Sequence, residues 1–144
     1  PHALAEWLEP NDHQPVVGHQ FHFMVDGAAK ECQVVEAEPP RRLVWSWQYM
    51  PDPATGKSRQ SGPMTVSWTL VPEGQGTRLL LEQTGAEHLG WLHRRLMRFG
   101  WKYMMTKYIP KILENVKDRQ FTPGAIPLAK RLYKCKTVPE EYVR

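Results

Sequence analysis

Apolar and polar residues alternate through five stretches within the first 85 residues. In "HQFHFMVDG", Phe21, Phe23 and Val25 fall on one side and His22, Met24 and Asp26 on the other, and Asp26-Gly27 supplies a turn. "CQVVEAE" follows across a connection short enough for a hairpin. Pro39 and Pro40 cannot donate to a ladder, and they bias Glu38 towards extended backbone, so strand pairing lapses there without coiling into helix. "RLVWSWQYM" then resumes, with Leu43, Trp45 and Trp47 on one face and Val44, Ser46 and Gln48 on the other. "MTVSWTLVPE" sets Met64, Val66, Trp68 and Leu70 against Thr65, Ser67 and Thr69, and "EGQG" turns the chain through Gly74 and Gly76. "TRLLLEQTG" returns with Leu79, Leu81 and Gln83 on one face. Strands in sequence, joined by short or modest loops, predict an antiparallel meander. "PDPATGKSRQSGP", Pro51 to Pro63, has no apolar period and reads as a loop.

The period is helical at both ends of this run. "PHALAEWLEP" places Leu4, Trp7 and Leu8 on one helical face before Pro10, Asn11 and Asp12 stop it. From His88, Leu89, Leu92, Leu96, Phe99 and Tyr103 form one stripe, with Arg94, Arg95, Arg98 and Lys102 opposite. Pro110 either kinks this helix or starts a second one carrying Ile112, Leu113 and Val116. Beyond Phe121 prolines recur, and "PLAKRLY" reads as a helical turn packed on the domain. The predicted organisation is one domain over residues 1–117 and a basic extension over 118–144. A short helix, a curved antiparallel sheet and one long C-terminal helix make an α+β layer in which the helix covers the sheet's apolar face. Space left beneath it suits an apolar ligand.

Composition narrows the setting. Hydrophobic residues are 41% and charged residues 24% of 144 positions, an ordinary soluble profile. No apolar run approaches the roughly 20 residues of a transmembrane helix, and no signal peptide is visible in a sequence that opens at Pro1 without a methionine. Two cysteines, Cys32 and Cys135, are too few for a disulfide framework, which points to a reduced, cytoplasmic protein with Cys32 as a buried thiol. Charge is uneven: residues 1–90 carry 6 Lys/Arg and 11 Asp/Glu, and residues 91–144 carry 13 and 4. Such a basic end meets an acidic partner, an anionic lipid surface or nucleic acid, or is a solvated helix face. No nucleic-acid motif accompanies it, so no nucleic acid is expected.

Several stretches together resemble a known family. "ALAEWL", "VVGHQFHF", "CQVVEAEPPRRLVWSW", "VSWTLVPEGQGTRLLLEQTG" and "GWLHRRL" follow, in order, the pattern of the activator of heat-shock-protein-90 ATPase homologue family, part of the START-like (SRPBCC), helix-grip superfamily of polyketide-cyclase and lipid-transport domains. The resemblance covers about residues 1–105. It implies a sheet gripping the long helix, and it implies a first strand and helix start ahead of "PHALAEWL" that this sequence does not contain, which would leave one sheet edge unpaired. It also implies a chaperone-associated, stress-response role, although the additional domain of true chaperone activators is not in the sequence.

The candidate ligand site follows from the concave face. Phe21, Phe23, Trp45, Trp47 and Trp68 would line it, with Leu79, Leu81 and Gln83 beside them; Trp7 from the first helix and Trp91, Leu92 and Leu96 from the long one complete it. Six tryptophans in one small domain is a high count, and these residues form either an aromatic cavity or a packed core. Gln83, polar on a leucine face, either orients a ligand or bonds an indole. No metal site is expected: His19 and His22 point to opposite faces, and His88 and His93 miss helical i, i+4 spacing. Glu36 and Glu38 share a strand face but sit at a solvated strand end. No nucleophile motif, phosphate loop or dinucleotide fingerprint is present, so no cofactor is expected. The leading expectation is non-enzymatic binding of a hydrophobic small molecule. The alternative is a protein-interaction module that docks a chaperone or other acidic protein through Lys130, Arg131, Lys134 and Lys136. An enzymatic reading would fall to His22, Tyr49 or Gln83.

Overall fold

The computed structural model of the chain describes residues 2–25, 28–49, 63–87, 89–118 and 120–131. The expected turn at Asp26-Gly27, most of the Pro51–Pro63 loop, and His88, Lys134, Cys135 and Lys136 lie outside them. Helix α1 spans His2–Trp7; strands β1 (Gln20–Val25), β2 (Ala28–Glu38), β3 (Arg42–Tyr49), β4 (Met64–Glu73) and β5 (Gly76–Thr84) follow. Helix α2 (Trp91–Tyr103) runs through a π-helical turn at Met104–Tyr108 into α3 (Ile109–Glu114). The two-residue strands β6 (Val116–Lys117) and β7 (Gln120–Phe121) and a 3-10 turn at Leu128–Lys130 close the described chain.

The sheet is a five-stranded antiparallel meander in the order β1-β2-β3-β4-β5, and the class is α+β. Pro39 and Pro40, joined by a cis bond, fill the turn between β2 and β3, where Arg41 N–H donates to the Glu38 carbonyl at 2.6 Å. Gly74, at φ +58°, makes the tight turn between β4 and β5. Cross-strand register keeps one face in phase: Trp45 sits between Val34 and Val66, Trp47 between Cys32 and Met64, and Trp68 between Leu43 and Leu81.

A β-bulge between Val34 and Glu36 decides what that face excludes. Strict alternation from Cys32 and Val34 would carry Glu36 and Glu38 onto the tryptophan face. The extra residue, Val35, half exposed, flips the phase so that Glu36 pairs with Val44 and Glu38 with Arg42 on the opposite side. There Arg42 donates to Glu36 at 2.9 Å and to Thr69 at 2.8 Å, a partly exposed pair that contributes about 0–1 kcal/mol.

At the end of β5, Gly85 has φ +78°, and a Cβ there would stand 2.6 Å from the Pro63 carbonyl oxygen and 3.1 Å from Met64 Cα. Backbone cannot yield as a flexible side chain does. Gly85→Ala is therefore expected to destabilise by about 1–3 kcal/mol or more, read as a lower urea midpoint.

The chain packs as two compact units. One holds Pro1–Asp12, Phe23–Ala29 and Gly90–Arg144; the other holds His13–His22 and Lys30–Leu89. The second unit is built on Phe21, Val34, Trp45, Met64 and Val66, all buried. The first buries Trp7, Leu8, Phe23, Trp101, Met104, Tyr108, Ile112 and Ile126.

The helix buries a different side from the one its leucine stripe predicts. Trp101, Met104, Tyr108 and Ile112 recur at helical spacing and are buried, whereas Leu92, Leu96 and Phe99 are 55%, 61% and 68% exposed and Leu113 is also exposed. The segment carries two apolar faces, and the one with the larger indole and the longer run through α3 supplies the unit's core. Pro110, which offers no N–H, enters within the first turn of α3, directly after the π turn that widens the hydrogen-bond register.

The residues after β6 are tied back to α1. Glu6, 2% exposed, accepts hydrogen bonds from the Gly124 and Ile126 N–H groups, and Arg131 Nη2 lies 3.3 Å from the same carboxylate. Arg131 Nε also donates to the Ile126 carbonyl at 2.9 Å, and the Tyr108 hydroxyl donates to the Lys130 carbonyl at 2.7 Å. Burial, and secondarily the neighbouring Tyr103, raises the Tyr108 pKa above its ordinary 10.0. Its neutral form is thus favoured by folding. The contribution is whole below pH about 10 and is lost as pH rises through the higher folded value, so the urea midpoint of wild type should fall more steeply in that alkaline range than that of Tyr108→Phe.

Candidate functional site

The bulge and the register leave one ring-rich face in the second unit. Phe21 meets Trp45 edge-on, with centroids 6.3 Å apart and planes at 87°, and Trp45 meets Trp68 at 5.6 Å and 35°. These are the offset and edge arrangements aromatic quadrupoles prefer, worth about 0.5–1.5 kcal/mol per pair beyond burial. His13, buried, packs its ring 4.8 Å from Phe21 and 5.9 Å from Trp45. The middle of the face is closed, and its flanks are more open. Trp47, Leu79, Leu81 and Gln83 are only half-buried. Gln83 directs its amide nitrogen to Met64 Sδ at 3.3 Å. Lys30 holds its ammonium 5.0 Å from the Trp47 ring centroid, a cation–π contact at the edge of the same face.

Of the expected site residues, Phe21, Trp45, Trp47, Trp68, Leu81 and Gln83 share this face through ring contact or register. Trp7 and Phe23 are buried in the other unit. Trp91, Leu92 and Leu96 also belong to that unit and are exposed, Trp91 at 70%. His13 and Lys30 were not legible as members. His13 lies in a loop without period, and Lys30 precedes the obvious run of β2. Its place two residues before Cys32 is the one signal that would have put it on this face.

A separate pocket of about 250 Å³ is lined by Gln20, Phe21, His22, Glu31, Cys32, Gln33 and Ser46. It is mostly polar and shares only Phe21 with the expected set. Cys32 is buried with its thiol 3.7 Å from the Lys30 carbonyl oxygen. Among the residues weighed for acid–base chemistry, His22 lines this pocket, Gln83 lies on the aromatic face and Tyr49 pairs with Lys30 at the end of β3. No group of three or more potential metal ligands gathers among the described residues, and no helix among them is long and apolar enough to cross a membrane.

Comparison with known proteins places this geometry. Residues 1–114 match the family described as Activator of Hsp90 ATPase homolog 1-like protein. Among solved structures, the Mesorhizobium loti protein MLL2253 is 33% identical, with a TM-score of 0.62 over 74% of this chain and 76% of that one. The Bacillus halodurans protein BH1534 is 24% identical, with a TM-score of 0.52 over 71% and 72%. DynU16, from the dynemicin biosynthetic locus, is 18% identical with a TM-score of 0.62; the match covers 82% of this chain but 40% of that one. None of the curated proteins compared with the sequence matches it. The meander with its aromatic face, the helical segment that follows it and the match over residues 1–114 together make this chain a member of the Activator of Hsp90 ATPase homolog 1-like family, with a START-like fold.

Proposed function

We propose that the protein binds a hydrophobic small molecule on the aromatic face of its sheet, without catalysing a reaction on it. The observation that carries this reading is the gathering of Phe21, Trp45 and Trp68 in mutual contact beside the half-buried Trp47, Leu81 and Gln83. A face that served only as core would have no need of the bulge that keeps Glu36 and Glu38 off it. Lys30 at the Trp47 edge favours an apolar molecule with an anionic end, such as a long-chain carboxylate. The setting that fits a buried, reduced Cys32 is the cytoplasm. Native mass spectrometry of the whole chain should show saturable, one-to-one uptake of a fatty acid, with weaker uptake of the alcohol of equal length. Trp68→Ala should reduce that uptake about tenfold or more, the loss of one aromatic wall. Uptake that does not saturate, or that Trp68→Ala leaves unchanged, contradicts the proposal.

The family description favours a second reading, an interaction with a chaperone through the basic C-terminal residues. Arg131 is engaged with Glu6, so its reversal would disturb the fold; the informative variant reverses Lys130, Lys134 and Lys136. Loss of co-purification of purified Hsp90 with that variant supports this reading, and an absence of binding by the wild type removes it.

A further inference from the structure

We infer that α2 is a docking surface for an anionic lipid bilayer. The helix reads "WLHRRLMRFGWKY": it contains no acidic residue, and Arg94, Arg95, Arg98 and Lys102 are all exposed. Its outer apolar side is exposed too: Trp91 at 70%, Leu92 at 55%, Leu96 at 61%, Phe99 at 68% and Tyr103 at 42%. Phe99 and Tyr103 stack at 6.5 Å, so two adjacent rings already form one slab. Its other side has a different fate, because Trp101 is buried in the unit's own core. The helix is therefore held by one face while presenting another.

That outer side combines the two features an interfacial helix needs. Leucine and aromatic side chains enter the boundary between headgroups and acyl chains, and flanking cations stay with the phosphates. Tryptophan and tyrosine prefer this depth because one end of each ring system is apolar and the other polar. Arginine suits the role through its forked, weakly hydrated guanidinium, which pairs with phosphate oxygens. A helix of this length lies along the surface and does not cross it. The all-cationic flank selects the partner: a neutral bilayer gives the apolar residues a place but the arginines nothing, and an anionic one satisfies both. This surface is separate from the aromatic face of the sheet and stands whether or not that face holds a ligand.

The test is co-sedimentation of the full chain with large unilamellar vesicles of phosphatidylcholine alone and of phosphatidylcholine with phosphatidylglycerol. Binding to the mixed vesicles is expected, with weak binding to the neutral ones and a marked loss at high salt. Arg94→Glu with Arg95→Glu and Arg98→Glu should weaken binding about tenfold or more. Leu96→Glu should also weaken it while leaving the circular dichroism spectrum and thermal midpoint unchanged, as an exposed site allows. Absence of binding, equal binding to neutral vesicles or indifference to Leu96→Glu overturns the inference. A large fall in thermal midpoint for Leu96→Glu shows that the chain itself covers this side in solution, and a dimer that this variant dissociates shows that a second copy does; either result also overturns it.

Discussion

Replacing Glu6 with alanine is expected to lower stability by about 3–5 kcal/mol and the thermal midpoint by roughly 10 °C. One carboxylate, almost fully buried, satisfies the Gly124 and Ile126 N–H groups and lies beside the Arg131 guanidinium, whose side chain is 9% exposed. Alanine strands two backbone donors and a buried cation together, and a buried charge without its partner is among the costliest single lesions. Arg131→Met is expected to cost less, because Glu6 then keeps both backbone donors. Urea titration of the two variants gives the order. Hydrogen exchange gives the mechanism: the Gly124 and Ile126 amides should lose protection in Glu6→Ala ahead of amides in β3 and β4. If the two substitutions cost the same, or these amides keep their protection, the carboxylate is not what fastens the segment.

Trp45→Ala is expected to cost about 3–5 kcal/mol by the same measurement. Trp45 is 2% exposed, is flanked in the sheet by Val34 and Val66, and touches the rings of Phe21, Trp68 and His13. Truncation removes indole burial and leaves a void among side chains fixed by strand register, which has little freedom to collapse. Trp45→Phe should recover part of the loss by keeping one ring in the stack. Since the half-exposed Trp47 is only partly removed from water, Trp47→Ala should cost clearly less than Trp45→Ala. Equal costs at the two positions would mean that the face is not closed at its centre and open at its flank.

The sheet was legible because period-2 alternation is a local signal. Pro39-Pro40 and Gly74 mark where strands must end, and Trp45, Trp47 and Trp68 declare their face by parity alone. The bulge at Val35 was not legible: "CQVVEAE" alternates acceptably in either phase, and only pairing with Val44 and Trp45 selects one. The long helix shows a different limit. Leu92, Leu96 and Phe99 form a true stripe, but Trp101, Met104, Tyr108 and Ile112 form another, and local spacing does not say which a unit will bury. Glu6 gave no signal at all, because its partners stand well over one hundred residues away along the chain. The residues that recruit distant backbone, or that act from a loop as His13 does, are invisible to periodicity.

The claim on which the functional account rests is that apolar molecules settle on the sheet's aromatic face. Six indole N–H resonances, one for each tryptophan in the sequence, can be followed by NMR as a long-chain carboxylate is titrated in. The account predicts saturable shifts in the Trp47 and Trp68 signals, with Trp45 following through its contact with Trp68, and little change in Trp101. Shifts confined to Trp91 or Trp101, or none that saturate, would contradict it.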